Sequence, residues 1–118
     1  MKHVIGIGGL FFRARDPVAL AQWYKDNLGI DPAPDDYSQK PWSQEAGPTV
    51  FAPFPENSEY LGNAVWMINF RVRDLAGLVE LLRASKIDVS VDPESYPNGR
   101  FARLRDPEGN PIELWEPK

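Results

Sequence analysis

Hydrophobic and polar positions alternate in two similar runs along the chain, and each run gives way to a pattern of helical period. Gly9-Leu10-Phe11-Phe12-Arg13-Ala14-Arg15-Asp16 is answered 58 positions later by Met67-Ile68-Asn69-Phe70-Arg71-Val72-Arg73-Asp74. The β-branched and aromatic content of Val4 to Ala14 and of Val65 to Val72 predicts a strand in each. Asp16-Pro17 suits the cap and first turn of a helix, and Asp74 suits the cap of the second copy. In the first helix the apolar positions are Val18, Leu20, Ala21, Trp23, Tyr24 and Leu28, with Gly29 placed to close it. In the second they are Leu75, Leu78, Val79, Leu81 and Leu82, and that helix ends near Ser85-Lys86 without a glycine.

The rest of the pattern is uneven. Between the copies stand Pro32, Pro34, Pro41, Pro48, Pro53 and Pro55, which exclude long regular elements. Thr49 to Ala52 is the best strand there, and Asp35 to Glu45, with Trp42 in it, reads as a loop or weak edge strand. After the second helix, Ile87 to Val91 and Arg100 to Arg105 predict strands. Asp106-Pro107-Glu108-Gly109-Asn110-Pro111 predicts a tight turn, with Ile112 to Trp115 returning as partner strand. The order is βαβββ twice, an α+β chain with one module over about 1–60 and another over about 61–118. At 118 residues the two modules must share one core and form a single domain, 1–118.

Composition narrows the function classes. Net charge is −4, from 13 basic and 17 acidic side chains, with no basic run, so nucleic acid is not an expected partner. There is no cysteine, which excludes disulfides, thiolate metal sites and a cysteine nucleophile. Val4 to Phe12 is too short and too interrupted by glycine for a membrane span or signal segment, and a cytoplasmic protein is expected.

Strand parity sorts the candidate site. Leu10, Phe12 and Ala14 share one face, with Gly9, Phe11, Arg13 and Arg15 on the other. In the second copy Ile68, Phe70 and Val72 oppose Met67, Asn69, Arg71 and Arg73. The apolar face is expected to pack on a helix, leaving Arg13, Asn69 and Arg71 toward a cavity. Arg103 and Glu113 lie on neighbouring strands, and Trp115 shares a face with Glu113. Guanidinium groups suit anionic ligands, whereas Glu113 and Glu45 suit cations, so the sign of a ligand stays open. The arginines could equally pair with the chain's own acids. Trp42, Trp66 and Trp115 are candidate pocket walls, Trp23 a core residue, and Tyr96-Pro97-Asn98-Gly99 a loop that could close over a site.

The strand order resembles that of the vicinal oxygen chelate superfamily, which includes glyoxalases, bleomycin-resistance proteins and extradiol dioxygenases. The matching words are Phe12 to Asp16 with Trp23-Tyr24 and Leu28-Gly29, then Asn69 to Asp74, then Arg103 to Trp115. The Asp106-Pro107-Glu108-Gly109-Asn110 turn followed by Glu113-Leu114 is the most specific of these. The resemblance implies two curled mixed sheets forming an open barrel with a divalent metal or ligand inside. It also implies a homodimer. Its usual histidines would fall at the positions held here by Gly9 and Met67, and His3, the one histidine, lies elsewhere. Glu113 fits the family's last-strand carboxylate and is the only metal ligand the match retains.

Two classes of function follow from that resemblance. One is a binder of a small polar or charged molecule without a metal or other cofactor, its site drawn from Phe11, Arg13, Trp42, Met67, Asn69, Arg71, Arg103 and Trp115. The other is a lyase, isomerase or dioxygenase-type enzyme using Glu113 as catalytic base or as sole ligand to a divalent metal. Ordinary metal-dependent lactoylglutathione lyase activity does not fit the missing histidines.

Overall fold

The structure is a computed structural model that describes residues 3–118. Its elements are α1 (Pro17–Leu28), β1 (Ile68–Arg71), α2 (Leu75–Ala84), β2 (Ser90–Val91), β3 (Gly99–Arg105) and β4 (Pro111–Pro117). The four strands form one open sheet in the order β1-β4-β3-β2. β1 runs parallel to β4, with Asn69 opposite Glu113, while β3 is antiparallel to both β4 and β2. The second βαβββ unit therefore forms as its sequence predicts.

Both helices start where their caps dictate. Asp16 accepts from Ala19 N at 3.1 Å with Pro17 in the first turn, and Asp74 accepts from Gly77 N at 3.1 Å. Gly29 takes a left-handed φ of 70° at the end of α1, and the N–H groups of Gly29 and Ile30 bond the carbonyls of Lys25 and Tyr24. α2 ends without a glycine, and Lys86 itself takes the left-handed conformation, φ 63°.

The apolar face of the sheet carries the core. Ala102, Leu104, Ile112 and Leu114 are buried there against Leu75, Val79 and Leu82 of α2 and Leu20 and Tyr24 of α1. Leu78 packs at the margin, but Leu81 and Val18, both expected in the buried stripes, face solvent at 69% and 81% exposure. α1 is tied to the sheet at the turn between β3 and β4. Tyr24 bonds Asp106, and the Glu108 carboxylate accepts from the N–H groups of Arg15 and Asp16 at 2.6 and 3.0 Å.

The first half departs from its expectation. Residues 3–67 contribute α1 and no strand, so the sheet predicted for module one, and with it the two-sheet barrel, is not among the elements formed. Alternation tells which face a strand would bury but supplies no neighbour to bond. Gly6, Gly8 and Gly9 weaken the first run, and the prolines of the middle stretch remove ladder donors. Parity still shows: Ala14 reaches the core, and the Phe12 ring lies 5.1 Å from that of Trp66. Ile5 and Phe11 are left 98% and 95% exposed.

Candidate functional site

The face of the sheet away from the helices carries a row of polar side chains. Ser90 on β2 pairs with Arg103 on β3, Arg103 with Glu113 on β4, and Glu113 with Asn69 on β1. Period-two alternation puts all four on the side opposite Ala102, Ile112 and Leu114. Glu113 is the centre of the row and only 7% exposed. A buried carboxylate needs partners. Its Oε1 accepts from Asn69 Nδ2 at 2.8 Å, its Oε2 accepts from the Tyr60 hydroxyl, and Arg103 Nε lies 4.0 Å from Oε2.

Tyr60 arrives from the proline-rich stretch and lies across this row. The Arg103 guanidinium stands 4.0 Å from its ring centre, the Phe54 ring 5.5 Å on, and Arg103 Nη2 donates to the Tyr60 carbonyl at 2.7 Å. Burial and the hydrogen bond to Glu113 push the Tyr60 hydroxyl up to about 12. Beside the row, Phe101 and Trp115 stack nearly parallel, centroids 6.3 Å apart, with Tyr96 edge-on to Phe101. Trp115 Nε1 donates to the Asn98 carbonyl at 2.8 Å, which draws the 96–99 loop onto this end of the sheet. An open cleft of about 1040 Å³ adjoins the row, with Tyr60, Ser90, Arg103 and Arg105 among its walls. Glu113 is not one of them.

Met67, Asn69, Arg103 and Glu113 are thus brought together, for Arg103 Nη2 also donates to Met67 Sδ at 3.3 Å. Arg71 lies opposite Trp115 in the neighbouring row, where its Nη2 donates to the Glu45 carbonyl at 2.8 Å. Arg73 holds the Glu45 carboxylate at 2.7 Å. Phe11, Arg13 and Trp42 are not brought to the row: all three are exposed, on segments that form no strand. Sequence reasoning missed Tyr60, which no periodicity marks. It also passed over Phe101, although parity with Arg103 places it on this face.

A divalent metal needs several anionic or imidazole donors gathered in one place. Among the described residues no three His, Asp or Glu side chains are grouped to hold one. Around Glu113 stand a phenol, an amide, a guanidinium and a thioether, the first three of which donate hydrogen bonds or carry positive charge. These residues do not fit a two-histidine, one-carboxylate site.

Fold and site together define a small α+β protein whose open sheet presents one buried carboxylate under a polar, aromatic-flanked row. The glyoxalase-like domain family matches over residues 9–115, and the chain belongs to that family, within the vicinal oxygen chelate superfamily. Among solved structures it is similar to a protein from Bacillus anthracis assigned to the glyoxalase family, with 19% identity and a TM-score of 0.53. That likeness, which is one of fold, covers 85% of this chain and 84% of the other. No curated protein matches the chain.

Proposed function

We propose that this glyoxalase-like chain binds a small polar or charged molecule against Glu113, without the histidine-based metal site common in its superfamily. One observation carries the reading: the buried Glu113 carboxylate is held by Asn69, Tyr60 and Arg103, and among the described residues no three His, Asp or Glu side chains are grouped to hold a metal. Elemental analysis and calorimetric titration with zinc, nickel and iron(II) test it. The expected result is no stoichiometric metal; one ion per chain, lost in Glu113→Ala, overturns it.

A second reading is favoured by the Arg103 Nε to Glu113 distance of 4.0 Å. A carboxylate beside a guanidinium and a phenol can take a proton from a carbon next to a carbonyl while the cation and hydroxyl stabilise the enolate oxygen. In that lyase or isomerase role Glu113 is the base. Exchange of substrate α-protons with deuterated solvent, abolished by Glu113→Gln, would support an enzyme over a binder.

We further propose a homodimer. The chain exposes 9553 Å², whereas a compact monomer of its size exposes about 6,500 Å². The excess of roughly 3,000 Å² per chain suffices for an obligate interface. Val4, Ile5, Phe11, Phe51 and Val65 supply apolar surface for it, and association of two copies would give the first-half runs the strand neighbours that a barrel requires. Sedimentation at micromolar concentration should give twice the monomer mass; a monomer with the same exposure rejects the dimer. Among the described residues no helix is long and apolar enough to cross a membrane. A cytoplasmic location is part of the proposal and does not follow from that.

A further inference from the structure

The Tyr60 side chain lies against both Glu113 and Arg103. Its hydroxyl donates to Glu113 Oε2, and its ring lies under the Arg103 guanidinium at 4.0 Å and beside Phe54 at 5.5 Å. These are the contacts a binding site would offer to any aromatic ring bearing a hydroxyl. The group that makes them is not part of the sheet. It comes from a segment whose backbone-to-backbone hydrogen bonds are local, Ser58 to Pro55, Gly62 to Glu59 and Ala64 to Leu61. Beyond those ring contacts, the segment is tied to the row through the Tyr60 hydroxyl and the carbonyl that accepts from Arg103, and Tyr60 is 45% exposed.

We propose that the Glu113 site binds a phenolic ligand, an aromatic ring carrying a hydroxyl, in the place held by the Tyr60 side chain, which moves aside to admit it. The inference rests on Glu113 being the centre of a small-molecule site. With Tyr60 displaced, Glu113 Oε2 regains an acceptor position, Arg103 presents a flat cation, and the Phe101–Trp115 pair continues the aromatic surface one row along. Competing ligand classes fit less well. An anion would meet the Glu113 carboxylate, while Arg71 and Arg73 are already bonded to Glu45. A bare ring would leave Glu113 without the donor it loses from Tyr60, and a site built around a hydroxyl rejects the analogue lacking one. An aliphatic alcohol would forgo the contact with the Arg103 guanidinium.

The test uses p-cresol, the tyrosine side chain as a free molecule, with toluene and benzoate as controls. Each is titrated by calorimetry into wild-type protein, Tyr60→Ala, Glu113→Gln and Arg103→Met, after circular dichroism shows each variant folded. Because the wild-type site is populated by its own phenol, removing Tyr60 should tighten p-cresol binding by about tenfold or more. Toluene should bind at least about tenfold more weakly than p-cresol in Tyr60→Ala, and Glu113→Gln and Arg103→Met should each weaken p-cresol. Equal p-cresol affinity in wild type and Tyr60→Ala, equal binding of toluene, or no p-cresol binding in either protein overturns the proposal. If benzoate binds more tightly than p-cresol in an Arg103-dependent manner, the phenolic class fails but the small-molecule site stands. If no probe depends on Glu113 or Arg103, both fail. Should Glu113→Gln not fold, the comparison of wild type with Tyr60→Ala and the toluene control decide the matter alone.

Discussion

Tyr24 donates its hydroxyl hydrogen bond to Asp106 at 2.6 Å, joining the helix of the first half to the turn between β3 and β4 in the second. Asp106 is buried, and besides Tyr24 it accepts from Glu108 N, Asn110 N and Asn110 Nδ2 at 2.7 to 3.0 Å. One carboxylate thus shapes the turn and anchors a helix 82 residues away in the chain. The β4 strand that follows the turn carries Glu113, so the polar row inherits its footing from this bond.

Removing either partner should therefore cost stability unequally. Tyr24→Phe loses one buried hydrogen bond, but Asp106 keeps its three other donors, so a loss of about 1–2 kcal/mol is expected. Asp106→Ala strands the Tyr24 hydroxyl and the turn donors together, and about 3 kcal/mol or more should go. Urea unfolding of the two variants checks the order. Equal losses would mean the turn does not depend on Asp106.

The same pair sets an alkaline limit. Burial first, then the hydrogen bond and charge of Asp106, raise the Tyr24 hydroxyl far above the usual tyrosine range, and Tyr60 is raised to about 12. The unfolded chain loses these protons near pH 10 while the folded chain retains them, so their stabilisation is complete below about pH 10 and is lost above it. Each retained proton contributes a slope of about 1.4 kcal/mol per pH unit, a figure that applies to buried Tyr24 rather than to half-exposed Tyr60. Urea midpoints measured from about pH 9 to 12 should fall less steeply in Tyr24→Phe than in wild type. Parallel curves would show that Tyr24 titrates as it does unfolded.

Much of the second half was legible because its residues interact with neighbours at fixed offsets. Alternation across Met67 to Arg73 put Asn69 and Arg71 on one face, Arg103 and Glu113 were expected on neighbouring strands, and the sheet pairs Asn69 and Arg103 with Glu113 and Arg71 with Trp115. Tyr60 was hidden because a proline-rich segment has no period, and its place depends on contacts 43 and 53 residues away. Glu108 looked like a turn residue and nothing else, yet its side chain bonds two N–H groups more than 90 positions back. The first-half run forms no strand for a different reason. A hydrophobic alternation records a buried face, and a strand also needs an edge to join.

Glu108 yields a local prediction. Its carboxylate accepts from Arg15 N and Asp16 N just ahead of α1, where free N–H groups and the helix dipole favour a negative charge. Glu108→Ala should cost about 1–2 kcal/mol and speed amide hydrogen exchange at Arg15 and Asp16 selectively. Glu108→Gln, which keeps an acceptor but not the charge, should lose less. Unchanged exchange at those two amides would show that the contact does not hold the start of the helix.

Gly99 provides the sharpest steric test. It opens β3 with φ 134°, a conformation that side chains rarely adopt, and it is buried. A Cβ there would meet the Glu116 carbonyl oxygen and Trp115 Nε1, and both are fixed, the first by the strand and the second by its bond to the Asn98 carbonyl. Gly99→Ala should therefore cost more than about 2 kcal/mol, combining backbone strain with displacement of packed atoms. Gly109 separates the two contributions, because it too has positive φ, 85°, but a Cβ there meets nothing within 4 Å. Gly109→Ala should cost only about 1 kcal/mol. The Gly99 variant alone should also shift tryptophan emission, since Trp115 must leave its stack with Phe101. If both variants lose the same stability and neither moves the emission, the crowding at Gly99 relaxes without disturbing the aromatic end of the site.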